Sequence, residues 1–294
     1  DHVDGLGFGR MGKLEIEKSG HGIGADIQGL DLTKPLASDA LAAINEAWAE
    51  HLVLRFHGTK LSDDQLMSFS QNFGPLDMRP VGKADQNSVP GNHYVTVISN
   101  VVENGRPIGG LGNLEAQWHV DMSYNPAPAV ASILHAWAIP DRGGLTHFCN
   151  MYAALEGLPS RLRARIEGLS LKHDSAHTSV GGLRRGFEEA ANAGEAPGAV
   201  HPLIRTHPVT QRQCLYLGRR QDAYIVGMAL EDSEALLDEI WAAAVRPEYC
   251  WEHIWQLHDT VMWDNRCTLH RRDGFPNEQQ RIMRRTQIGG DKVG

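Results

Sequence analysis

A histidine and an aspartate separated by one residue, His119 and Asp121, are the first candidates for a chemical site in this sequence. Residues two apart on a β-strand point to the same side, so both side chains could reach one metal ion. Two histidines and a carboxylate on one face of the ion, with the other face open, are the ligand set of non-haem Fe(II) oxygenases. The motif alone is weak, because chance gives about one His-x-Asp in a chain of this composition. We expect a second copy, His2 and Asp4, not to bind metal, because it lies in an N-terminal stretch without periodicity.

Further motifs lie in a fixed order around the His119–Asp121 pair. WHVD at 118–121 is followed by GGLT at 143–146, WDNRCTLH at 263–270 and RIMRR at 281–285. Three more segments add to the pattern: GADIQGLDLTKP at 24–35, FGPL at 73–76 and RTHP at 205–208. In this order the motifs resemble the TauD/TfdA family, the taurine and 2,4-D dioxygenases, over roughly residues 20 to 292.

The resemblance implies a cofactor set and a role for several residues. His119, Asp121 and His270 correspond to the ligands of Fe(II). Arg281, helped by Thr146, corresponds to the group that holds the distal carboxylate of the cosubstrate 2-oxoglutarate. An arginine suits a carboxylate that lies away from the metal, because its guanidinium forms two parallel charge-assisted hydrogen bonds. The implied reaction consumes O2, releases succinate and CO2, and hydroxylates a C–H bond of the primary substrate.

The primary substrate implied by the resemblance is a small organic acid. Arg285 falls where family members bind the anionic head of their substrate, and Arg79 stands where the taurine enzymes carry a histidine. His93 precedes a predicted strand near the pocket mouth and is a third candidate. Glu115 replaces an asparagine of the taurine pattern, so we expect a sulfonate other than taurine or an aryloxy or alkyl carboxylate. The open alternative is that acidic side chains such as Glu115 neutralise the arginines internally.

The elements that must position these residues are mainly strands. Short β-type runs predict a β-sandwich or jelly roll with α-helical decoration, and the resemblance implies the double-stranded β-helix form of this fold. Trp251 to Leu257 alternates apolar and polar residues as a half-buried strand does. Helices are predicted after Ser38, after the capping box of Ser62 and Gln65, in two pieces between 152 and 169, and before Pro247.

Composition excludes several classes of protein. The net charge of −8 without a Lys/Arg-rich run argues against a nucleic-acid partner. No apolar run approaches the ~18 residues of a membrane span. The four cysteines form no CxxC pair, which favours reduced thiols and a cytoplasmic location.

The organisation along the chain is predicted to be simple. We expect residues 1–10 to be a disordered or foreign arm and residues 11–294 to form a single dioxygenase domain. The Gly/Ala/Ser-rich stretch 174–200 is either a mobile lid over the site or a plain surface insertion. Family members often associate, so a homo-oligomer is possible.

Two other functions compete with the oxygenase. The first is a non-catalytic cupin-like protein that binds a metal or a small acid, which would have no need for Arg281 and Thr146 at that spacing. The second is a zinc hydrolase using the same triad, which would need a general base near the metal. The sequence offers no specific candidate for that base.

Overall fold

A computed structural model describes residues 10–78 and 87–293 of the chain. The helices begin and end close to where the sequence predicts. Ser62 accepts a hydrogen bond from the Gln65 amide and the Gln65 side chain accepts one from the Ser62 amide, so the predicted capping box is confirmed. Within the described ranges the α-helices are α1 (Ser38–His51), α2 (Asp63–Ser70), α3 (Met151–Glu156), α4 (Ser160–Ile166) and α5 (Leu230–Ala244).

The strands of the described residues are β1 (Arg10–Lys18), β2 (Ala25–Leu30), β3 (Val53–Phe56), β4 (Ser88–Val89), β5 (Asn92–Ser99), β6 (Val102–Glu103), β7 (Arg106–Pro107), β8 (Gly110–Leu111), β9 (Ala116–His119), β10 (Ala131–Ala138), β11 (Thr146–Asn150), β12 (Ser170–Lys172), β13 (Val200–Pro202), β14 (Ile204–Thr206), β15 (Gln213–Leu215), β16 (Tyr224–Ile225), β17 (Cys250–His253), β18 (Thr260–Asp264), β19 (Thr268–Arg272) and β20 (Ile282–Ile288). They form one large sheet, one four-stranded sheet and three small ones. The large sheet has the order β1-β2-β3-β18-β10-β20-β5-β4, with β8 beside β5. The four-stranded sheet has the order β17-β11-β19-β9.

The large sheet buries both of its faces. One face packs under α1 and α2, in a cluster that includes Ile44, Phe69 and Ile133. The other face looks toward the four-stranded sheet, and the ring centroids of Trp263 and Phe148 lie 5.4 Å apart across the gap. The predicted jelly-roll sandwich with helices is therefore confirmed, and the space between the two sheets is where side chains from both can meet.

The predicted strand from Trp251 to Leu257 is too long. β17 ends at His253, and the chain then turns away so that the Trp255 indole donates a hydrogen bond to the Thr146 hydroxyl at 3.0 Å. A tight turn at His258, which has a φ of +68°, then leads into β18. The alternation of apolar and polar residues continues past the end of β17 because Trp255 is also buried. Its indole is buried against Thr146 of β11 and not as part of the strand.

None of the helices among the described residues is long and apolar enough to cross a membrane. The four cysteines are free thiols.

His135 is a fully buried histidine that hydrogen-bonds within the fold. Its Nε2 accepts a hydrogen bond from the Leu61 amide at 2.9 Å, so its Nδ1 donates to the Thr260 hydroxyl. Burial, together with the nearby His258, lowers the pKa of His135 to about 4. The ring must stay neutral to accept from Leu61, so protonation opposes folding.

The pH dependence of stability should carry this signature. Between the unfolded pKa near 6.5 and the folded value, only the unfolded chain binds the proton, so the free energy of unfolding falls as pH drops through that window. Above pH 6.5 the neutral His135 ring makes its full contribution to stability. Below the folded-state pKa this contribution is lost completely, which lowers the free energy of unfolding by about 3 kcal/mol. At pH 5, about 2 kcal/mol of this contribution is lost, because the folded-state pKa is about 4. His135→Gln should therefore flatten the dependence by about 2 kcal/mol relative to the parent, measured by urea unfolding at pH 7.5 and pH 5. An equal slope in parent and variant would show that His135 is protonated without cost.

Candidate active site

A row of side chains on the four-stranded sheet leads into the space between the sheets. His119 at the end of β9 pairs with His270 on β19, which in turn pairs with Phe148 on β11. Directly opposed residues of antiparallel strands point to the same face, so the two histidines stand side by side with ring centroids 4.1 Å apart. Trp263 packs against His270 at 4.7 Å, as expected of a core aromatic beside the site.

Asp121 reaches the same point from a turn rather than from the strand. The sequence predicts His119 and Asp121 on one strand, but β9 ends at His119 and Asp121 lies in the turn that follows. Asn265 fixes this turn: its side-chain oxygen accepts from the Asp121 amide at 2.9 Å, and its Nδ2 donates to the Asp121 carbonyl at 2.7 Å. Asn265 was not predicted as a site residue, although its place in the WDNR motif was the available signal.

The donor atoms of the triad converge. Asp121 Oδ1 lies 3.4 Å from His119 Nε2 and 3.6 Å from His270 Nε2, and the chosen atom from each residue lies within 4.8 Å of the others. Ligands at right angles on a metal ~2.1 Å away would be ~3 Å apart, so a contraction of a few tenths of an ångström would seat an ion.

Hydrogen bonds aim the lone pairs at that point. His119 Nδ1 donates to the Gln117 carbonyl at 2.6 Å, which leaves Nε2 as the unprotonated nitrogen. The Ser132 hydroxyl donates to Asp121 Oδ2 at 2.6 Å and the Gln287 amide approaches the same oxygen at 3.4 Å, so Oδ1 stays free. Two imidazole nitrogens and one carboxylate oxygen, held in this way, fit an Fe(II) ion.

The protonation states also suit a cation. Burial and the neighbouring His119 lower the pKa of His270 to about 3, so the ring is neutral. Burial acts to raise the pKa of Asp121, but His270, Arg285 and His119 outweigh it and hold this pKa well below its usual range. Neutral imidazoles and an ionised carboxylate are the forms that bind a metal.

In two other clusters of residue types that can bind metals, the potential ligand atoms already make hydrogen bonds or ion pairs within the protein. His207 Nδ1 accepts from the Val209 and Thr210 amides, and its Nε2 donates to Asp264 at 2.8 Å. Arg266 binds both oxygens of Asp264. In the cluster of Asp174, His177 and Asp222, both ring nitrogens of His177 face carboxylates, so neither offers a lone pair to an ion. These two clusters are therefore structural.

Arg281 is a buried cation with no counter-ion among the described residues. The side chain is only 2% exposed, and its Nε has no hydrogen-bond partner. Burial, followed by the nearby Arg272, lowers its pKa well below the ordinary value. The guanidinium lies 5.7 Å from the Trp255 ring, whose indole binds the Thr146 hydroxyl, so Arg281, Thr146 and Trp255 form one group. The sequence did not reveal Trp255 as a member.

A glycine of the GGLT motif makes room for this arginine. A Cβ added to Gly144 would lie 3.3 Å from both Cδ and Nε of Arg281, closer than most real Cβ contacts. Gly144 also has a φ of +66°, a backbone conformation that other residues rarely adopt. The motif therefore combines a clearance for the arginine stem with the threonine beside it.

The three residues predicted to bind substrate have different placements. Arg285 lies on β20 between Leu134 and Thr96, with its Nη1 3.7 Å from Asp121 Oδ1 and its Nε without a partner. His93 is half-buried near the start of β5, and its role stays a prediction. Arg79 lies outside the described residues, as do His2 and Asp4.

The proposed neutralisation of Arg285 by Glu115 is not found. The Glu115 side chain is 64% exposed and lies 3.9 Å from Arg271 instead. Arg284, the neighbour of Arg285, forms an ion pair with Asp63 at 3.1 Å on the other face of the sheet.

The stretch 174–200 is tied to the strand that carries His119. The Gln117 amide donates to the Ser179 carbonyl at 2.9 Å, and the Ala199 amide donates to the Tyr124 carbonyl at 3.0 Å. The segment therefore borders the site, which both the lid and the plain insertion would allow. Movement of a lid stays a prediction.

Fold and site together define a jelly-roll protein with a buried two-histidine, one-carboxylate cluster, the architecture of a non-haem iron oxygenase. The profile of the taurine catabolism dioxygenase TauD, TfdA family, matches residues 15–287. The chain therefore belongs to the TauD/TfdA family.

Relatives and solved structures agree over nearly the whole chain. An alpha-ketoglutarate-dependent 2,4-dichlorophenoxyacetate dioxygenase of Cupriavidus pinatubonensis is 32% identical, over 92% of this chain and 95% of that protein. An (S)-phenoxypropionate/alpha-ketoglutarate-dioxygenase of Sphingobium herbicidovorans is 33% identical, over 84% of this chain and 85% of that protein. The crystal structure of AAD-2 in complex with Mn(II) and N-oxalylglycine superimposes with a TM-score of 0.77 at 32% identity, covering 96% of this chain and 99% of that one.

Proposed function

We propose that the protein is an Fe(II)- and 2-oxoglutarate-dependent dioxygenase that hydroxylates a small organic acid. The observation that carries the proposal is the convergence of Asp121 Oδ1 with the free Nε2 atoms of His119 and His270. Iron, when bound there, supplies the oxidative chemistry with O2 and 2-oxoglutarate. The chain supplies the ligands, the binding groups and a site from which water is largely excluded.

Arg281 and Thr146 are assigned to the cosubstrate. A buried guanidinium without a counter-ion is costly, and a carboxylate placed against it would remove that cost. Thr146 is directly beside this group and, because it accepts from Trp255, its hydroxyl proton is free to be donated to the same carboxylate. The AAD-2 complex holds N-oxalylglycine, and we propose that 2-oxoglutarate binds here.

Arg285 is assigned to the acid group of the primary substrate. Asp121 is its acidic neighbour, and a metal ion at the triad would take up that carboxylate's charge. Arg285 would then be available to an anion that enters beside the metal. The two relatives named for phenoxyacetate and phenoxypropionate substrates support an aryloxyalkanoate over a sulfonate as the first compound to test.

The test is succinate release from 2-oxoglutarate in the presence of Fe(II) and O2, with and without candidate substrates. Each acid, including 2,4-dichlorophenoxyacetate, 2-phenoxypropionate and an alkyl sulfonate, is paired with its neutral amide. We expect an acid to stimulate succinate formation at least tenfold more than its amide, because the charge-assisted bonds to Arg285 are lost. Equal stimulation by both partners would contradict the anion-binding role of Arg285.

The same assay separates the competing functions. A cupin-like binding protein would bind metal and acid without releasing succinate under any condition. A zinc hydrolase would show no dependence on 2-oxoglutarate or O2. A zinc hydrolase also leaves unexplained the buried Arg281, which has no counter-ion among the described residues and is suited to an anionic ligand. A cupin-like protein that binds a small acid would explain Arg281, so succinate release is the result that separates it from the dioxygenase.

A further inference from the structure

Arg219 extends the row of side chains that contains the two histidines. It forms an isolated antiparallel bridge with His119, and the Val120 amide donates to the Gly218 carbonyl at 2.8 Å. Because directly opposed residues point to the same face, the Arg219 side chain lies on the face that carries His119 and His270. It flanks the metal ligands on the side opposite to Phe148.

The side chain of Arg219 is buried, and one of its donor nitrogens makes no hydrogen bond to the described part of the chain. It is 7% exposed, and its Nε has no partner among the described residues. Its Nη1 donates to the His177 carbonyl, which also accepts from Arg184 Nε. The carbonyl holds the guanidinium in place but provides no counter-charge.

The nearby acids do not neutralise Arg219. Asp174 and Asp121 are both within electrostatic range. Asp174 is already bound to the His177 ring at 2.9 Å and to the Ala176 amide at 2.9 Å. Asp121 is assigned to the metal. Arg184, a like charge, also lies close enough to disfavour the cation further.

The neighbouring Arg220 shows what a satisfied arginine looks like in the same loop. Its guanidinium contacts Glu234 at 2.6 Å and Asp238 at 2.7 Å near the surface. The chain therefore pairs Arg220 with two acids, whereas Arg219, the residue before it, is buried beside the two histidines without an ion pair to any described residue. An isolated buried cation costs free energy unless a ligand compensates it.

We propose that Arg219 is a second cation of the primary-substrate pocket and binds the substrate's anionic group together with Arg285. The inference rests on the proposed function and identifies a specificity residue for it. Arg285 lies on the large sheet, with its Nη1 3.7 Å from Asp121 Oδ1. Arg219 is bridged to His119 at the edge of the four-stranded sheet, so an acid beside the metal would meet guanidinium groups from two sides. The unpaired Nε edge of Arg219 can contact a carboxylate oxygen, which a hydroxyl or amide would match poorly.

The experiment measures binding without turnover. The protein is loaded with Mn(II) and N-oxalylglycine, and calorimetry gives the affinity for 2,4-dichlorophenoxyacetate and for its neutral amide. Arg219→Met, which keeps the length of the apolar stem, should weaken binding of the acid about tenfold or more and leave binding of the amide nearly unchanged. Arg219→Lys should recover part of the preference for the acid. Arg220→Met is the matched control and should behave as the parent.

The outcomes separate this inference from the proposed function. N-oxalylglycine affinity equal to that of the parent shows that the site of each variant is folded. If Arg219→Met keeps the parent's preference for the acid, or loses affinity for acid and amide equally, Arg219 only anchors the His177 segment and the inference is wrong. If the parent itself does not prefer the acid, the anionic substrate class fails, and the role of Arg219 fails with it. Succinate release in the assay above still reports on the dioxygenase independently.

Discussion

Asp121→Ala should abolish turnover and weaken metal binding by more than about 100-fold, because we propose Asp121 as the anionic ligand of the triad. Imidazole ligands bind a metal in their neutral form and cannot replace that charge. His270→Ala should have a comparable effect on turnover. Metal affinity is measured by calorimetry with Mn(II), and turnover by succinate release with Fe(II).

Two companion variants make the prediction specific. Ser132→Ala removes the hydroxyl that directs Asp121 Oδ2 away from the metal and should reduce affinity about 10- to 100-fold, less than loss of the ligand itself. Glu115→Gln neutralises an exposed carboxylate just before β9 and should change neither the metal affinity nor the turnover. Full metal affinity in Asp121→Ala would show that the ion binds elsewhere.

Arg281→Met should raise the concentration of 2-oxoglutarate needed for half-maximal activity at least tenfold, because the charge-assisted pair with the distal carboxylate is lost. The same change should leave the ligand-free protein as stable as the parent or more stable. A buried cation without a counter-ion opposes folding, and an apolar side chain of similar length removes that penalty, by ~1–4 kcal/mol in comparable replacements. Urea unfolding without cosubstrate measures this second effect.

Arg284→Met is the matched control, three residues further along the chain in β20. Arg284 is paired with Asp63 and lies 3.9 Å from the centre of the Trp137 ring. Its loss should destabilise the protein without changing the requirement for 2-oxoglutarate. If Arg281→Met destabilises the protein as Arg284→Met does, and the cosubstrate requirement stays constant, Arg281 is structural.

The sequence predicts those features of the fold that repeat locally. The capping box at Ser62 and the apolar stripe of α2 appear where they are expected, because a helix end is specified by residues a few positions apart. The strand after Trp251 is overestimated, because Trp255 contacts Thr146 on another element. Alternation cannot distinguish an indole buried within a sheet from one buried beside it.

The sequence predicts those residues of the candidate site that belong to recognisable motifs. His119 and Asp121 are close in sequence, whereas His270 enters only through the family resemblance. Asn265 belongs to the recognised WDNR motif, but the motif does not show what this residue contacts. It fixes the Asp121 turn through two hydrogen bonds between residues far apart in sequence. Arg219 has no local pattern at all, since its position follows from a single bridge to His119. Long-range pairing of this kind is not encoded by periodicity.

The two consecutive arginines on β20 make the register of this strand ambiguous. If this strand slid by one residue against β10 and β5, Arg284 and Arg285 would exchange faces, and each face would still receive a cation. The contacts of α2 oppose such a slip: Asp63 binds Arg284, and Ser70 shares a 2.6 Å hydrogen bond with the buried Thr286 hydroxyl. The contacts of α2 therefore hold β20 in its register. Correct formation of the pocket on one face of the sheet thus depends on residues that contact the opposite face.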